Sequence, residues 1–334
     1  MNRATPTIAP AVSLIPVEEI AADQAPLIEA FREAGSVSFQ DVPLQQSRTN
    51  YLTSCTSNGL PPEELEDIRD IDCPVGGGTI TLRHYRPATR STAQPTLVFL
   101  HGGGWVIGDL DSHDRICRYL AKHTGMAVIA VGYRLAPEHR FPVPLEDCRE
   151  ALAFIRDNAR ALNLDPHRLV VVGDSAGGNL ATVLANLPQC AVAGTTVIGQ
   201  VLLYPVTDLA AESRSYGRIT AGFPLTAASM RWFADQYLEP GTDPADPRIS
   251  PCRYSGAQGP FPPAFVVSLG LDPLGEEGIA YAGYLARHGT QVEHHHLPHH
   301  AHGIFTAAGR IPSGKGLLDR VAAFVCGLTV KEDR

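Results

Sequence analysis

From about Pro95 onward, short runs that are apolar throughout alternate with longer stretches whose apolar residues recur at helical spacing. Thr96–Leu100, Ala127–Gly132, Leu169–Val172, Val197–Leu203 and Ala264–Leu269 are such runs. Continuous apolar character, without polar alternation, predicts strands of a parallel sheet covered on both faces. Between two of these runs Leu145, Cys148, Leu152, Ile155 and Ala159 keep the spacing of a helix's buried stripe. Strand, helix and strand in that order predict a doubly wound α/β sheet. Upstream, Ile68–Cys73 and Thr79–Arg86 flank Pro74-Val75-Gly76-Gly77-Gly78, a turn-forming link that predicts an antiparallel hairpin at the sheet's edge. The sheet therefore starts mixed and becomes parallel.

Two stretches break the alternation. Residues from about 13 to 60 read as helical, with Val17–Arg32 the best candidate, and the region 208–248 holds a second amphipathic helix, Thr226–Leu238, where the next strand is due. Together they predict a helical lid over the strand ends, where α/β proteins place their sites. The division that follows is residues 1–60 as N-terminal cap helices, 61–207 as the first part of the core, 208–248 as a cap insertion and 249–334 as the second part.

A chain of 334 residues suits one such core with a small cap. The net charge of -8 comes from scattered carboxylates, with no Lys/Arg block, which argues against nucleic acid or an anionic membrane surface as partner. No run approaches the roughly 18 apolar residues of a membrane span. The apolar stretch Ile8–Val17 is interrupted by Pro10 and Pro16 and followed by Glu18 and Glu19, unlike a signal peptide. Seven cysteines, odd in number and without a CxxC pair, fit reduced thiols and a cytoplasmic location.

The chemistry concentrates at strand ends. Leu169–Val172 runs into Gly173-Asp174-Ser175-Ala176-Gly177, a GxSxG with a helical stretch, Asn179–Asn186, behind it. A serine between strand and helix sits on a sharp turn that exposes its hydroxyl, and small residues two before and two after let neighbouring chain pass. His101-Gly102-Gly103-Gly104-Trp105 follows the strand Thr96–Leu100, so bare backbone N–H groups can point at a substrate carbonyl there. Neither a Lys-Ser/Thr pair nor GxGxxG spacing accompanies these glycines, which separates them from a phosphate cradle. His101 reads as an anchor of the loop.

A serine of this kind needs an acid and then a histidine later in the chain. Asp272, in Leu269-Gly270-Leu271-Asp272-Pro273-Leu274, follows a late strand, and Pro273 fixes the chain beside it. His294, His295, His296, His299, His300 and His302 all compete for the base. Strand alternation puts His294 and His296 on one face of Gln291–Leu297, whereas His302 lies beyond that strand and is followed by Gly303, which permits a tight loop. The histidine cluster also raises a transition-metal site, but only Glu293 joins it among other ligand types, and the reading retained has no metal and no cofactor.

His101–Trp105, Tyr133-Arg134-Leu135-Ala136-Pro137-Glu138, Gly173–Gly177, Asp272-Pro273-Leu274 and His302-Gly303 occur in an order and spacing that resembles the bacterial hormone-sensitive-lipase-like (family IV) esterases. The resemblance implies an α/β-hydrolase fold: a mostly parallel eight-stranded sheet flanked by helices, with a helical cap. It implies Ser175 as nucleophile, His302 as general base and Asp272 as orienting acid. Oxyanion donors would come from Gly102, Gly103 and Gly104, with Gly103 and Gly104 favoured, and from Ala176; Trp105 and Asp174 are the candidate substrate contacts. Glu138 and His139 follow an early strand and read as structural. One departure is local: Gly275-Glu276-Glu277-Gly278 stands where the family usually continues Arg-Asp-Glu-Gly.

The activity expected is hydrolysis of small-molecule esters with short to medium acyl chains by a serine carboxylesterase, with Phe223, Met230 and Trp232 as candidate cap walls. A homodimer through the last strand, around Gln291–Leu297, follows from the resemblance alone. Two other classes stay open at this point: amide hydrolysis by the same residues, and a non-catalytic ligand receptor on the same fold, against which His302 speaks.

Overall fold

The computed structural model describes residues 14–88, 93–256 and 259–330, so the first part of the expected N-terminal cap, residues 1–13, lies outside it. The chain opens with helices α1 (Ala25–Glu33) and α2 (Leu44–Asn58), then the hairpin β1 (Asp67–Val75) and β2 (Gly78–Arg86). There follow β3 (Gln94–Leu100), α3 (Asp114–Thr124), β4 (Ala127–Gly132), α4 (Val143–Asp157), the short α5 (Ala159–Leu162), β5 (Leu164–Asp174), α6 (Ala176–Asn186) and β6 (Val197–Leu203). After β6 come α7 (Arg214–Arg218) and α8 (Ala227–Tyr237), then β7 (Ala264–Leu271), α9 (Gly275–Arg287), β8 (Val292–Ala301) and α10 (Pro312–Val330).

All eight strands join one sheet in the order β1-β2-β4-β3-β5-β6-β7-β8. The β1–β2 and β2–β4 pairs are antiparallel and the remaining pairs parallel. Strand side chains alternate between two cores, as period-two geometry demands. Val98, Leu100, Ile129, Leu169 and Val171 pack with α4, α6 and α9 on one face, while Leu97, Phe99, Val128, Val170 and Val172 pack with α3 and α10 on the other. Each such fully buried aliphatic or aromatic side chain contributes about 1.5–3 kcal/mol. Burial on both faces is why these strands read as unbroken apolar runs.

The helix expected over Val17–Arg32 is divided. Val17–Glu19 forms one 3-10 turn and α1 begins only at Ala25. Pro26 supplies no N–H and restrains the residue before it, so it suits the first turn of a helix and not its interior. The residues between are committed elsewhere: Gln24 exchanges hydrogen bonds with the backbone of Ala301, and Asp23 meets His300 and the Ser313 N–H. Thr226–Leu238 is helical as expected, with Thr226 capping α8 by accepting from the Ser229 N–H. Helix α2 is fastened to the core by Arg48, which donates to the carbonyls of Val106 and Ala136 and pairs with Glu138 at 2.7 Å. Glu138 is thus a structural partner. Among the described residues no helix is long and apolar enough to cross a membrane.

Candidate active site

Strand β5 ends at Asp174 and α6 begins at Ala176, leaving Ser175 alone between them. Its backbone stands at φ 55°, ψ −118°, a conformation that persists only where the surroundings enforce it, at a cost of about 1–3 kcal/mol. The enforcement is visible on both sides. A Cβ at Gly173 would collide with the backbone of Gly177, and one at Gly177 would collide with the Leu100 carbonyl. The Ser175 N–H donates to Leu203 O at 2.8 Å, which ties the elbow to the neighbouring strand. Behind it the first turn of α6 directs unpaired N–H groups and partial positive charge toward the serine.

The glycine loop after β3 divides into an anchor and a pair of free donors. Gly102 N–H donates to Asp174 Oδ1 at 2.8 Å. Among the described residues the N–H groups of Gly103, Gly104 and Ala176 have no acceptor, and they are available to an oxyanion. Of the donors expected from the sequence, Gly102 is therefore corrected: its N–H holds the loop in place.

Asp174 is the acceptor that holds the loop. The residue lines the cavity, but its buried carboxylate takes the Gly102 N–H and meets His113 Nε2 at 3.1 Å. Burial alone would raise its pKa; the nearby His113, with His302 and His101 further off, outweighs that and holds it below the usual carboxylate value. His101 anchors the loop from the other side. Its Nδ1 lies 2.8 Å from Gly102 O and its ring stacks on Tyr133 at 4.2 Å. Burial first, and then the charge of His113, drive its pKa to about 4, so it is neutral at pH 7.

Asp272 follows β7 and is fully buried. One oxygen accepts the Leu274 N–H at 2.9 Å and the other meets His302 Nδ1 at 2.6 Å. His302 stands directly beyond β8, and Gly303 turns the chain at φ 96°. An imidazole whose Nδ1 faces a carboxylate carries its proton there, which leaves Nε2 as an acceptor. The other histidines of the cluster are spoken for: His294 and His296 share Ser268 Oγ, His295 meets Glu293, His299 meets Glu19 O and His300 meets Asp23.

Ser175, His302, Gly103 and Gly104 open onto one cavity of about 340 Å³, within the span of small-molecule pockets. Helices α1, α2 and α8 close it, with Leu27, Ile28, Met230 and Phe233 among its apolar walls. A serine, an imidazole braced by a buried carboxylate and free N–H donors around an apolar chamber can carry out acyl transfer.

A family model described as alpha/beta hydrolase fold matches residues 97–306. The chain belongs to the α/β-hydrolase family. Carboxylic ester hydrolase LipN of Mycobacterium tuberculosis is 42% identical over 264 residues, covering 77% of this chain and 69% of that protein. Ethyl acetate hydrolase of Pseudomonas putida is 40% identical over 273 residues, covering 80% and 85%. Among solved structures, an ester-hydrolase from the metagenome of Lake Arreo superimposes with a TM-score of 0.86 at 35% identity, covering 92% of this chain and 98% of that one. A hyperthermophilic esterase from Pyrobaculum calidifontis gives 0.82 at 32% identity, covering 91% and 98%. The chain is accordingly a carboxylic ester hydrolase, and the resemblance to hormone-sensitive-lipase-like esterases holds.

Within this α/β-hydrolase, Met230 lines the cavity as expected, whereas Phe223, Trp232 and Trp105 do not. Phe223 packs beside Ile28 and Ile219 with the Arg32 guanidinium 5.2 Å from its ring, and Trp232 lies tilted on Phe233. Trp105, placed against the substrate by the sequence, is turned away and stacks on Tyr237. Phe233, Phe39 and Tyr204 line the site unforeseen. Phe233 was within reach of the sequence, because it shares a helical face with Met230 three residues earlier. Tyr204, whose ring lies 4.2 Å from that of His302, had no such signal.

Proposed function

We propose that this esterase cleaves short- to medium-chain carboxylic esters through an acyl-enzyme on Ser175, with His302 as general base and Asp272 as the carboxylate that orients it. The observation that carries the reading is the 2.6 Å contact between Asp272 Oδ2 and His302 Nδ1, at the cavity that His302 shares with Ser175. Ser175 Oγ attacks the ester carbonyl carbon while His302 Nε2 takes its proton. The π pair moves to the carbonyl oxygen, which the N–H groups of Gly103, Gly104 and Ala176 meet. Collapse expels the alkoxide, protonated by His302. Water, deprotonated by His302 in turn, attacks the acyl-enzyme and releases the acid. Asp272 keeps the ring in the productive tautomer and stabilises its charged form.

The cavity's modest volume and apolar walls support acyl chains of limited length. The relative from Pseudomonas putida is named for ethyl acetate, a short ester, and the Lake Arreo ester-hydrolase was solved complexed with a bipyridine phosphonate derivative, whose tetrahedral phosphorus resembles the intermediate of acyl transfer. Residues 14–60 and 208–248 then serve as a cap that shields the acyl-enzyme from bulk water.

The test is p-nitrophenol release from esters running from acetate to palmitate, by the wild type and by Ser175→Ala. Turnover should be fastest on the shorter chains and fall by on the order of 10⁶ in the variant. An organophosphate ester should add to one peptide only, the one holding Ser175. Retained turnover in Ser175→Ala overturns the nucleophile; fastest hydrolysis of emulsified long-chain triglyceride overturns the substrate class.

A further inference from the structure

Trp105 leaves the glycine loop with φ at 60°, a left-handed conformation foreign to bulky side chains unless packing holds it. Its indole is fully buried and lies flat on the equally buried ring of Tyr237, centroids 4.2 Å apart and planes within 4°. Trp105 Nε1 and the Tyr237 hydroxyl have no hydrogen-bond partner among the described residues, so ring packing is what joins them. One turn earlier on α8, Phe233 lies directly against Gly104, where an added Cβ would collide with its ring. Residues four apart share a helix face, so a single face of α8 presses on two consecutive residues of the loop, Gly104 and Trp105.

The end of that helix is itself held. The Phe141 N–H donates to Tyr237 O at 2.9 Å. Arg140 Nη1 donates to the carbonyls of Asp235 and Leu238, each at 2.7 Å. The circuit closes where the Ala136 N–H donates to Trp105 O at 2.9 Å.

We propose that Phe233 and Tyr237 are positioning residues for catalysis: helix α8 of the cap sets the orientation of the Gly103 and Gly104 N–H groups, and the oxyanion hole is complete only while α8 is seated. The physical reason is local. Gly103 at φ 116° and Gly104 at φ 59° have low barriers to other conformations. Trp105 is the first residue beyond the three glycines with a side chain to hold them from that end, and its left-handed backbone relaxes to negative φ once its stack is lost. That rotation turns the peptide plane between Gly104 and Trp105 and, through the torsions of Gly104, tilts the preceding plane, which carries the Gly104 N–H and whose Gly103 carbonyl accepts from the Val106 and Ile107 N–H groups in the native loop. The cap thereby acts on the reaction and not only on access to the cavity.

This inference rests on Gly103 and Gly104 being the oxyanion donors, and its experiment keeps the two readings apart. Tyr237→Leu, Tyr237→Phe and Trp105→Leu are assayed beside Ser175→Ala on p-nitrophenyl butyrate, with thermal melts to show that each is folded. Tyr237→Leu should lower kcat by about tenfold or more, within the roughly 10²–10³ that loss of an oxyanion donor costs, and leave KM near wild type. The inhibition constant of an alkyl trifluoromethyl ketone, whose hemiketal oxyanion occupies the same hole, should rise by the factor that kcat/KM falls. Tyr237→Phe, which keeps the ring, should retain both values. Should Tyr237→Leu fail to fold, Trp105→Leu removes the stack from the loop side and is read in the same way. A folded Leu variant with wild-type kcat and ketone affinity, or a lowered melting temperature as the sole effect, overturns the positioning role alone. Activity surviving in Ser175→Ala overturns the acyl-transfer reading beneath it.

Discussion

Asp174 Oδ1 and the Gly102 N–H meet at 2.8 Å across 72 residues of sequence, and this bond joins the residue before the elbow serine to the first glycine of the loop after β3. The same carboxylate meets His113, whose Nε2 lies 3.1 Å from Oδ1 and 3.3 Å from Oδ2 and whose Nδ1 lies against Ser112 Oγ. Ser175 and the glycine loop are thereby held in one frame.

Replacing Asp174 by Ala strips a buried N–H and a buried imidazole of their acceptor. Each unsatisfied group costs about 1–3 kcal/mol, so the variant should unfold at clearly lower denaturant and lose kcat as Gly102 drifts. Asp174→Asn, which still offers an oxygen to Gly102, should fall between. Chemical denaturation and steady-state kinetics on the three proteins check this; an Ala variant matching wild type in both would refute it.

Asp272→Asn should fold normally and lose roughly 10⁴ in kcat. An amide that turns its NH₂ toward His302 Nδ1 takes the lone pair there and moves the ring proton to Nε2, where it blocks acceptance from Ser175. Wild-type turnover in this variant removes Asp272 from the mechanism.

Glu277 gives a pH signature distant from the chemistry. One carboxylate oxygen accepts the N–H groups of Thr207 and Asp208, while the other is buried without a partner among the described residues. Burial drives its pKa from 4.5 to about 8, against the pull of those N–H groups. The folded protein then holds a proton that the unfolded chain has released, so stability declines as pH rises from about 4.5 to about 8, by about 1.4 kcal/mol per unit, and levels off above. Glu277→Gln does not titrate. Its melting temperature should gain on wild type steadily from pH 5 to pH 8 and no further; a constant offset across that range would count against the shift.

Strand positions were legible because burial on both faces writes itself as unbroken apolar runs, and the runs at Ala127–Gly132 and Val197–Leu203 coincide with β4 and β6 to the residue. Ser175 was legible for a related reason: Gly173 and Gly177 are imposed by backbone that passes too close for a side chain. The break before α1 was not read, although Pro26 announced it, since the helical spacing of Val17–Arg32 continues through a segment whose side chains are drawn to β8 and α10. Trp105 was misjudged for want of direction. An aromatic residue beside a glycine loop reads as a wall of the site, and only its positive φ turns the indole toward Tyr237.

The sequence by itself determined the elements, their order and the chemical groups at the strand ends, because those depend on periodicity, on turn residues and on contacts between near neighbours. Sequence favoured His302 among six histidines and Gly103 and Gly104 among the glycines; tertiary structure decided how His302 meets Asp272, that Asp174 takes the Gly102 N–H, and which aromatics line the cavity. Each of those outcomes turns on the direction of a side chain or a peptide plane across long sequence separations, such as the 30 residues from Asp272 to His302 or the 72 from Gly102 to Asp174. Directions of that kind are set by packing, which local sequence patterns do not encode.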